Sequence, residues 1–305
     1  MRDAFIAELH EIAAKDPAVL LLSGDIGFKV FDRFRDTYPG RYMNMGVAEA
    51  NMVGVSAGLA LSGKRPVAYT IVPFLTMRAF EQIRVDVAMQ HQPVMIVGVG
   101  GGLAYDILGP THHSIEDVSL MRSLPGMTVL TPADPNQVRA ATRAAYDLAG
   151  PVYIRLGKNG EPDLGTGDHP FEIGRPTLMR GGDDAVIIAS GAILSVAIDA
   201  AAKLGDDRIS CSVVNLHSVK PIDAGTLLDW IGDKRAIVTL EEHSIIGGTG
   251  SAVAEIVAEA GLGVPLKRLG IRDRFTFEVG SREWLLNRHG LDAQSVADAV
   301  KSLIA

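Results

Sequence analysis

At 305 residues, with 47% hydrophobic and 21% charged residues, the chain is long enough for two domains with full cores and too apolar to be disordered. A formal charge of −7 argues against a nucleic-acid partner, which selects a basic face. The single Cys211 supplies neither a disulfide nor a zinc site, as expected of a soluble protein in a reducing cytoplasm, and the greasiest stretch, PVMIVGVGGGLA, is too short and glycine-rich to span a membrane.

In chain order, MRDAFIAELHEIAAKD reads as a charged amphipathic helix rather than a signal peptide. Apolar runs that read as buried strands follow at AVLLLSGD (18–25), RPVAYTIV (65–72), PVMIVGVG (93–100), MTVLTPAD (127–134) and PVYIRLG (151–157). Helical patterns lie between them at 47–62, 74–91, 114–123 and 134–149, the last opened by Asp134 as N-cap and Pro135 at the first helical position. This alternation predicts an α/β fold, a mostly parallel sheet with helices on both faces. The stretch 157–184 is rich in Gly, Pro and Asp and has no sustained period. A second, smaller α/β unit then begins with AVIIAS, a helix over 192–204, strands at ISCSVVNL and AIVTLEE, and a helix from about 250. The organisation expected is therefore a first domain over 1–165, a linker over 166–184 and a second domain over 185–305.

Three features invite a functional reading. GVGGGLA and GGTGSAVAEIV are glycine-rich, but neither completes a dinucleotide fingerprint, and tight turns with close helix–strand contacts explain them as well. GPTHHSIEDVSLMRSLPG carries His112 and His113 on a loop after a strand, where a parallel sheet binds ligands. Such a pair serves equally as a solvated loop or cap, and no third metal ligand sits at a recognisable spacing, so no metal site is expected. In NMGVAEANMVGVSAGLALSG the one charge is Glu49, at the mouth of a helix of small residues. A carboxylate there complements the helix dipole, or, if desolvated, needs a partner. Gly54 and Gly58 on that helix admit the close approach of another backbone.

Taken together and in order, RYMNMGVAEANMVGVSAGLAL, GPTHHSIEDVSLMRSLPGMTVLTPAD and PVYIRLGK resemble the pyrimidine-binding domain of transketolases, and residues 180–305 are similar to their C-terminal domain. The resemblance implies a thiamine-diphosphate enzyme of carbohydrate metabolism that transfers two-carbon ketol units between sugar phosphates. It implies that Glu49 hydrogen-bonds the cofactor's aminopyrimidine and favours the imino tautomer that activates the thiazolium carbon, a task that burial of the carboxyl assists. By the same resemblance Phe74 stacks on the aminopyrimidine, Asp25 lies near the cofactor, His112 reaches the sugar, and Arg155 and Arg2 meet phosphate. His243 is expected to be structural.

The chain also departs from the family. Ile71 stands where a further aromatic usually lines the pyrimidine pocket, Leu108 where an aspartate would read substrate hydroxyls, and Gly100 where another histidine would touch the sugar. The family holds Mg²⁺ and the diphosphate at a Gly-Asp-Gly motif, and no GDG occurs in this sequence. With the pyrimidine-type unit beginning almost at Met1, the chain resembles the small subunit of a split transketolase, paired as α2β2 with a diphosphate-binding subunit that holds most of the magnesium. The rivals are the β subunit of a 2-oxoacid dehydrogenase E1 component, deoxyxylulose-phosphate synthase, and a non-catalytic partner that binds nucleotide or scaffolds a complex.

Overall fold

The computed structural model describes residues 1–158 and 160–305; Asn159, in the glycine-rich stretch, lies outside them. The strands are β1 (Val19–Ser23), β2 (Tyr42–Asn44), β3 (Arg65–Ile71), β4 (Met95–Val99), β5 (Thr128–Leu130), β6 (Val152–Leu156), β7 (Thr177–Arg180), β8 (Ala185–Ser190), β9 (Cys211–Asn215), β10 (Ser218–Lys220), β11 (Ala236–Ser244) and β12 (Leu266–Ile271). They form two sheets, ordered β10-β5-β6-β4-β3-β1-β2 and β12-β11-β8-β9-β7. Each is parallel except at one edge, where β10 runs against β5 and β7 against β9. Buried on both faces, β1, β4 and β6 are apolar throughout apart from Ser23 and Arg155, as strands between two helical layers must be.

The helices of the first unit are α1 (Arg2–Lys15), α2 (Asp32–Thr37), α3 (Glu49–Leu61), α4 (Val72–Thr76), α5 (Phe80–Gln82), α6 (Asp117–Ser123) and α7 (Pro135–Tyr146). Those of the second are α8 (Leu194–Asp206), α9 (Ala224–Ile231), α10 (Thr249–Glu259), α11 (Arg282–Arg288) and α12 (Ala293–Ile304). Phe5, Leu9 and Phe34 join Val138 and Ala141 in the core on one side of the first sheet; Met52, Val53, Leu75 and Ile83 fill the other side. Asp134 caps α7 as expected, its carboxylate accepting from the Gln137 N–H at 2.8 Å ahead of Pro135.

Several expectations need correction. The helix expected over 74–91 is broken: α4 ends at Thr76, a turn covers 77–79, and α5 leads into a π-helical stretch over Ile83–Ala88. The Thr76 hydroxyl donates back to the Val72 carbonyl at 2.9 Å, a local bond that competes with the helical ladder. The helix expected from 114 starts at 117, because Ser114 instead exchanges both backbone hydrogen bonds with Gly102, each 2.8 Å. The linker over 166–184 holds β7, and β10, which follows β9 in sequence, crosses to the first sheet. The two units are thus woven together rather than strung on a tether.

His217, at this crossing, stacks on Phe171 with ring centroids 4.4 Å apart, and its carbonyl accepts from Thr131 N–H at 2.7 Å. Burial pushes its imidazole down from 6.5 to about 4. The unfolded chain therefore binds an extra proton between these two values, so stability from this group is complete above 6.5 and is lost as pH falls through 4. The effect is about 3 kcal/mol. Urea titrations from pH 7 to pH 4 should show a shallower loss for His217→Gln than for the wild type; parallel losses would refute the assignment.

Candidate active site

The order β6-β4-β3-β1-β2 places the carboxyl ends of five parallel strands along one edge, where α/β sheets bind ligands. Glu49, Phe74 and His112, of the expected site residues, come together there. Glu49 is the first residue of α3, and its side chain is 1% exposed. Its position satisfies the helix dipole, and its partner is Arg78, whose Nη1 donates to Oε2 at 2.8 Å. Arg78 sits on the turn between α4 and α5, and its guanidinium also lies over the Phe74 ring, 4.7 Å from the centroid.

From there a wall of rings continues. Phe74 meets His112 edge-on at 5.1 Å, His112 meets Tyr105 at 5.8 Å, and the Lys158 ammonium lies 4.9 Å from the Tyr105 centroid. Burial, and then the neighbouring His113, lower the His112 imidazole, which favours its neutral form. Glu49, Phe74 and His112 are singled out by the sequence; Arg78, Tyr105 and Lys158, which the fold brings against them, are not. A signal for Arg78 exists: it lies four residues after Phe74, at helical reach.

The other expected residues are placed differently. Asp25, exposed at a positive φ of 56°, exchanges hydrogen bonds with Asn44 at the end of β2, a partner the sequence did not single out. Ile71 ends β3, half-buried, and leads directly into α4. Arg2 opens α1 and lines a groove with Phe28, Lys29 and Arg33, and its charge also acts on the Tyr105 phenol. Leu108 lies exposed on a single 3₁₀ turn over Asp106–Leu108.

Arg155 departs most from expectation. Its guanidinium is buried, with Nε donating to Asp117 at 2.9 Å and Nη2 donating to the Ser114 and Glu242 carbonyls at 2.9 and 3.0 Å. Two of its three nitrogens are spent inside the protein. It lines a cavity of about 200 Å³ between the units, together with Lys158, Glu242 and Arg282.

The glycine motifs are accounted for by protein atoms. A Cβ on Gly100 would lie 2.1 Å from the Tyr105 ring, one on Gly101 2.4 Å from Arg155, and one on Gly102 2.6 Å from Glu242. The space of the missing histidine is thus filled by Tyr105. In GGTGSAV, the Glu241 carboxylate accepts from Thr249 and Gly250 N–H at 2.7 and 2.9 Å, occupying the α10 N-terminus where a nucleotide phosphate would sit. His243 is buried beside it and serves structure, its Nε2 accepting from Ser119 N–H at 3.4 Å. Among the described residues no three His, Cys, Asp or Glu side chains are grouped as a metal site requires, and no helix is long and apolar enough to cross a membrane.

Gly100 also has a positive φ of 81°. Gly100→Ala should therefore cost about 1–3 kcal/mol. In chemical denaturation, adding Tyr105→Ala should recover the steric part and leave the backbone strain; strict additivity of the two changes would show that the ring and the glycine are not coupled.

Residues 1–161 match the transketolase pyrimidine binding domain and residues 174–296 the transketolase C-terminal domain. The chain is 40% identical over 300 residues to a 6-deoxy-6-sulfo-D-fructose transketolase subunit of Clostridium sp., covering 98% of this chain and 92% of that one. It is 39% identical over 270 residues to an apulose-4-phosphate transketolase subunit of Actinobacillus succinogenes, covering 88% and 87%. Among solved structures, a split gene transketolase described as an inactive beta4 tetramer superposes with a TM-score of 0.92 at 39% identity, covering 99% of this chain and 97% of that one. The pyrimidine-side fold, the C-terminal domain behind it and these full-length likenesses agree: the chain belongs to the transketolase family, among the subunits of split transketolases.

Proposed function

We propose that this chain is the pyrimidine-side subunit of a split thiamine-diphosphate transketolase, which moves a two-carbon ketol unit between sugars once a diphosphate-binding subunit is present. The observation that carries the reading is the buried Glu49 carboxylate joined through Arg78 to the half-buried Phe74 ring, with the wall of His112 and Tyr105 running on from it. An acceptor at the edge of an aromatic face suits an aminopyrimidine, so the residues present fit that end of the cofactor. Bound thiamine diphosphate supplies the carbon nucleophile that the side chains of a protein lack. With the ring bound, Glu49 would hold a proton at its edge, Phe74 and Ile71 would form its apolar wall, and Asp25, braced by Asn44, would border it. His112 faces the substrate in its neutral form. No Gly-Asp-Gly motif occurs in the sequence, and in this reading the partner subunit supplies the magnesium site.

The open face of α3 supports assembly with other chains. A Cβ on Gly54 or Gly58 would meet nothing within 4 Å, and Val47 and Leu61 near the helix ends are 72% and 63% exposed. That face is unused inside the fold and admits a backbone from outside it. We assign it to contacts within an α2β2 complex with the partner subunit. The full-length likeness to split subunits favours this over a one-chain deoxyxylulose-phosphate synthase, the histidine loop favours sugar chemistry over a 2-oxoacid dehydrogenase E1 β subunit, and Glu241 in the α10 terminus leaves no room for the nucleotide-binding reading.

The substrate in this reading is a sugar with an anionic terminus. The relatives are named for a sulfonated and a phosphorylated sugar, and the Lys158 ammonium lies over the Tyr105 ring while the Arg2 charge acts on its phenol. Lys158 is half-buried and lines the cavity without the internal hydrogen bonds that engage Arg155, so in this reading the anion is assigned to Lys158 and Arg2, with Arg155 shaping the cavity.

Two measurements on the assembled enzyme test this. Glu49→Gln should keep the fold and the complex while lowering ketol transfer about 10²–10⁴-fold; near-wild-type exchange of the cofactor's C2 proton in the variant would remove Glu49 from the chemistry. Lys158→Ala should lower kcat/KM for phosphorylated or sulfonated sugars about 10- to 100-fold more than for uncharged analogues. Arg155→Ala should instead destabilise the chain by about 3–5 kcal/mol, because Asp117 is left buried without its cation. The reverse pattern would return the anion to Arg155.

A further inference from the structure

Arg78 does two things at once. It supplies Glu49, whose side chain is 1% exposed, with its charge partner at 2.8 Å, and it covers the Phe74 ring at 4.7 Å. Its own side chain is 49% exposed and springs from the turn at 77–79 between two short helices. A guanidinium is flat, delocalised, rich in N–H donors and stacks on aromatic faces. Those are also the features by which an aminopyrimidine would engage the same two groups.

Resting on the cofactor reading above, we infer that Arg78 is a positioning residue that stands in for the aminopyrimidine, holding Glu49 and Phe74 while the ring is absent and turning out to solvent when it enters. The stand-in answers a problem the fold creates. A carboxylate buried at the mouth of α3 without a cation would either force α3 to open or take up a proton. With Arg78 against it, the buried Glu49 carboxylate keeps a charge partner at 2.8 Å. Release is inexpensive because the Arg78 side chain is already half exposed. An exposed cation of this kind contributes modestly, so it steadies the site without outcompeting a ligand that brings its own stacking and hydrogen bonds.

The consequences separate a stand-in from a permanent brace. In the isolated chain, Arg78→Met should lower thermal stability, and Glu49→Gln should remove most of that loss in the double variant, since no buried charge is then left unpaired. In the complex with the diphosphate-binding subunit, thiamine diphosphate and magnesium should bind Arg78→Met about three- to tenfold more tightly than wild type by titration calorimetry, because the competing closed state is gone. Arg78→Lys, which keeps the charge but not the flat stacking group, should fall between the two.

Weaker or unchanged cofactor binding by Arg78→Met, or additive stabilities in the isolated chain, would overturn the stand-in role. Failure of the underlying reading looks different: the wild-type complex would bind no thiamine diphosphate, or Glu49→Gln would bind it as well as wild type, whatever Arg78 does. In that case the stand-in role falls with it, while the stability cycle still reports whether the ion pair exists.

Discussion

The buried pairing of Arg155 with Asp117 is the constraint around which the rest of the molecule is arranged. A guanidinium placed on the interior strand β6 can be tolerated only if its donors are met by charge and carbonyls, because an unpaired ion there costs several kcal/mol. Asp117, at the start of α6, meets Nε and also accepts from the Tyr153 hydroxyl at 2.6 Å and from Ser114 Oγ at 3.0 Å. The remaining carbonyls come from Ser114, in the histidine loop, and Glu242, in β11 of the second unit. One side chain therefore ties the first sheet, the loop bearing His112 and the C-terminal domain into a single piece.

That tie gives the C-terminal domain a part in shaping the loop that bears His112. Glu242 accepts from Leu103 N–H at 2.8 Å, which fixes the loop just after its glycines, and Arg282 at the start of α11 neutralises it in turn. Ser244 N–H donates to the Ile115 carbonyl at 2.8 Å on the other side of the loop. The His112 segment is thus held at both of its roots by β11. The run Gly100-Gly101-Gly102 follows from the same geometry: each glycine leaves room for one of the groups Tyr105, Arg155 and Glu242 that lock the loop. Glycines that resemble a phosphate cradle in the sequence are here the clearance needed for a protein-internal polar network.

Much of this is legible in the sequence, and the boundary of legibility has physical causes. The long apolar strands, the capped helix α7 and the small-residue helix α3 can be read from their residues because local pattern and tertiary environment agree there. The three-residue strands β2 and β10 cannot, since such short segments carry no period and form only when a neighbouring edge is offered. Glu49, Phe74 and His112 are visible as motif residues. Tyr105 and Lys158 are not, because the folding that sets Tyr105 against His112 and Lys158 over Tyr105 leaves no periodic signal in the sequence. Arg155 is legible as important, but its residue type and position suggest an anion ligand, and only its three internal hydrogen bonds show where its donors go.

The contrast between Arg155 and Arg78 orders the site. Both pair with a buried carboxylate at the first position of a helix, Asp117 on α6 and Glu49 on α3. Arg155 is itself buried and has additional carbonyls on Nη2, so removing it leaves the Asp117 carboxylate buried without a cation. Arg78 is half exposed, and its second contact is with an aromatic face that water or another flat group can replace. Burial decides which pair is permanent. The fold thereby separates a rigid ionic joint, which sets the loop and the domain arrangement, from a labile one of the same chemistry at the mouth of α3, where a ligand can take over the cation's place without disturbing anything the first joint holds.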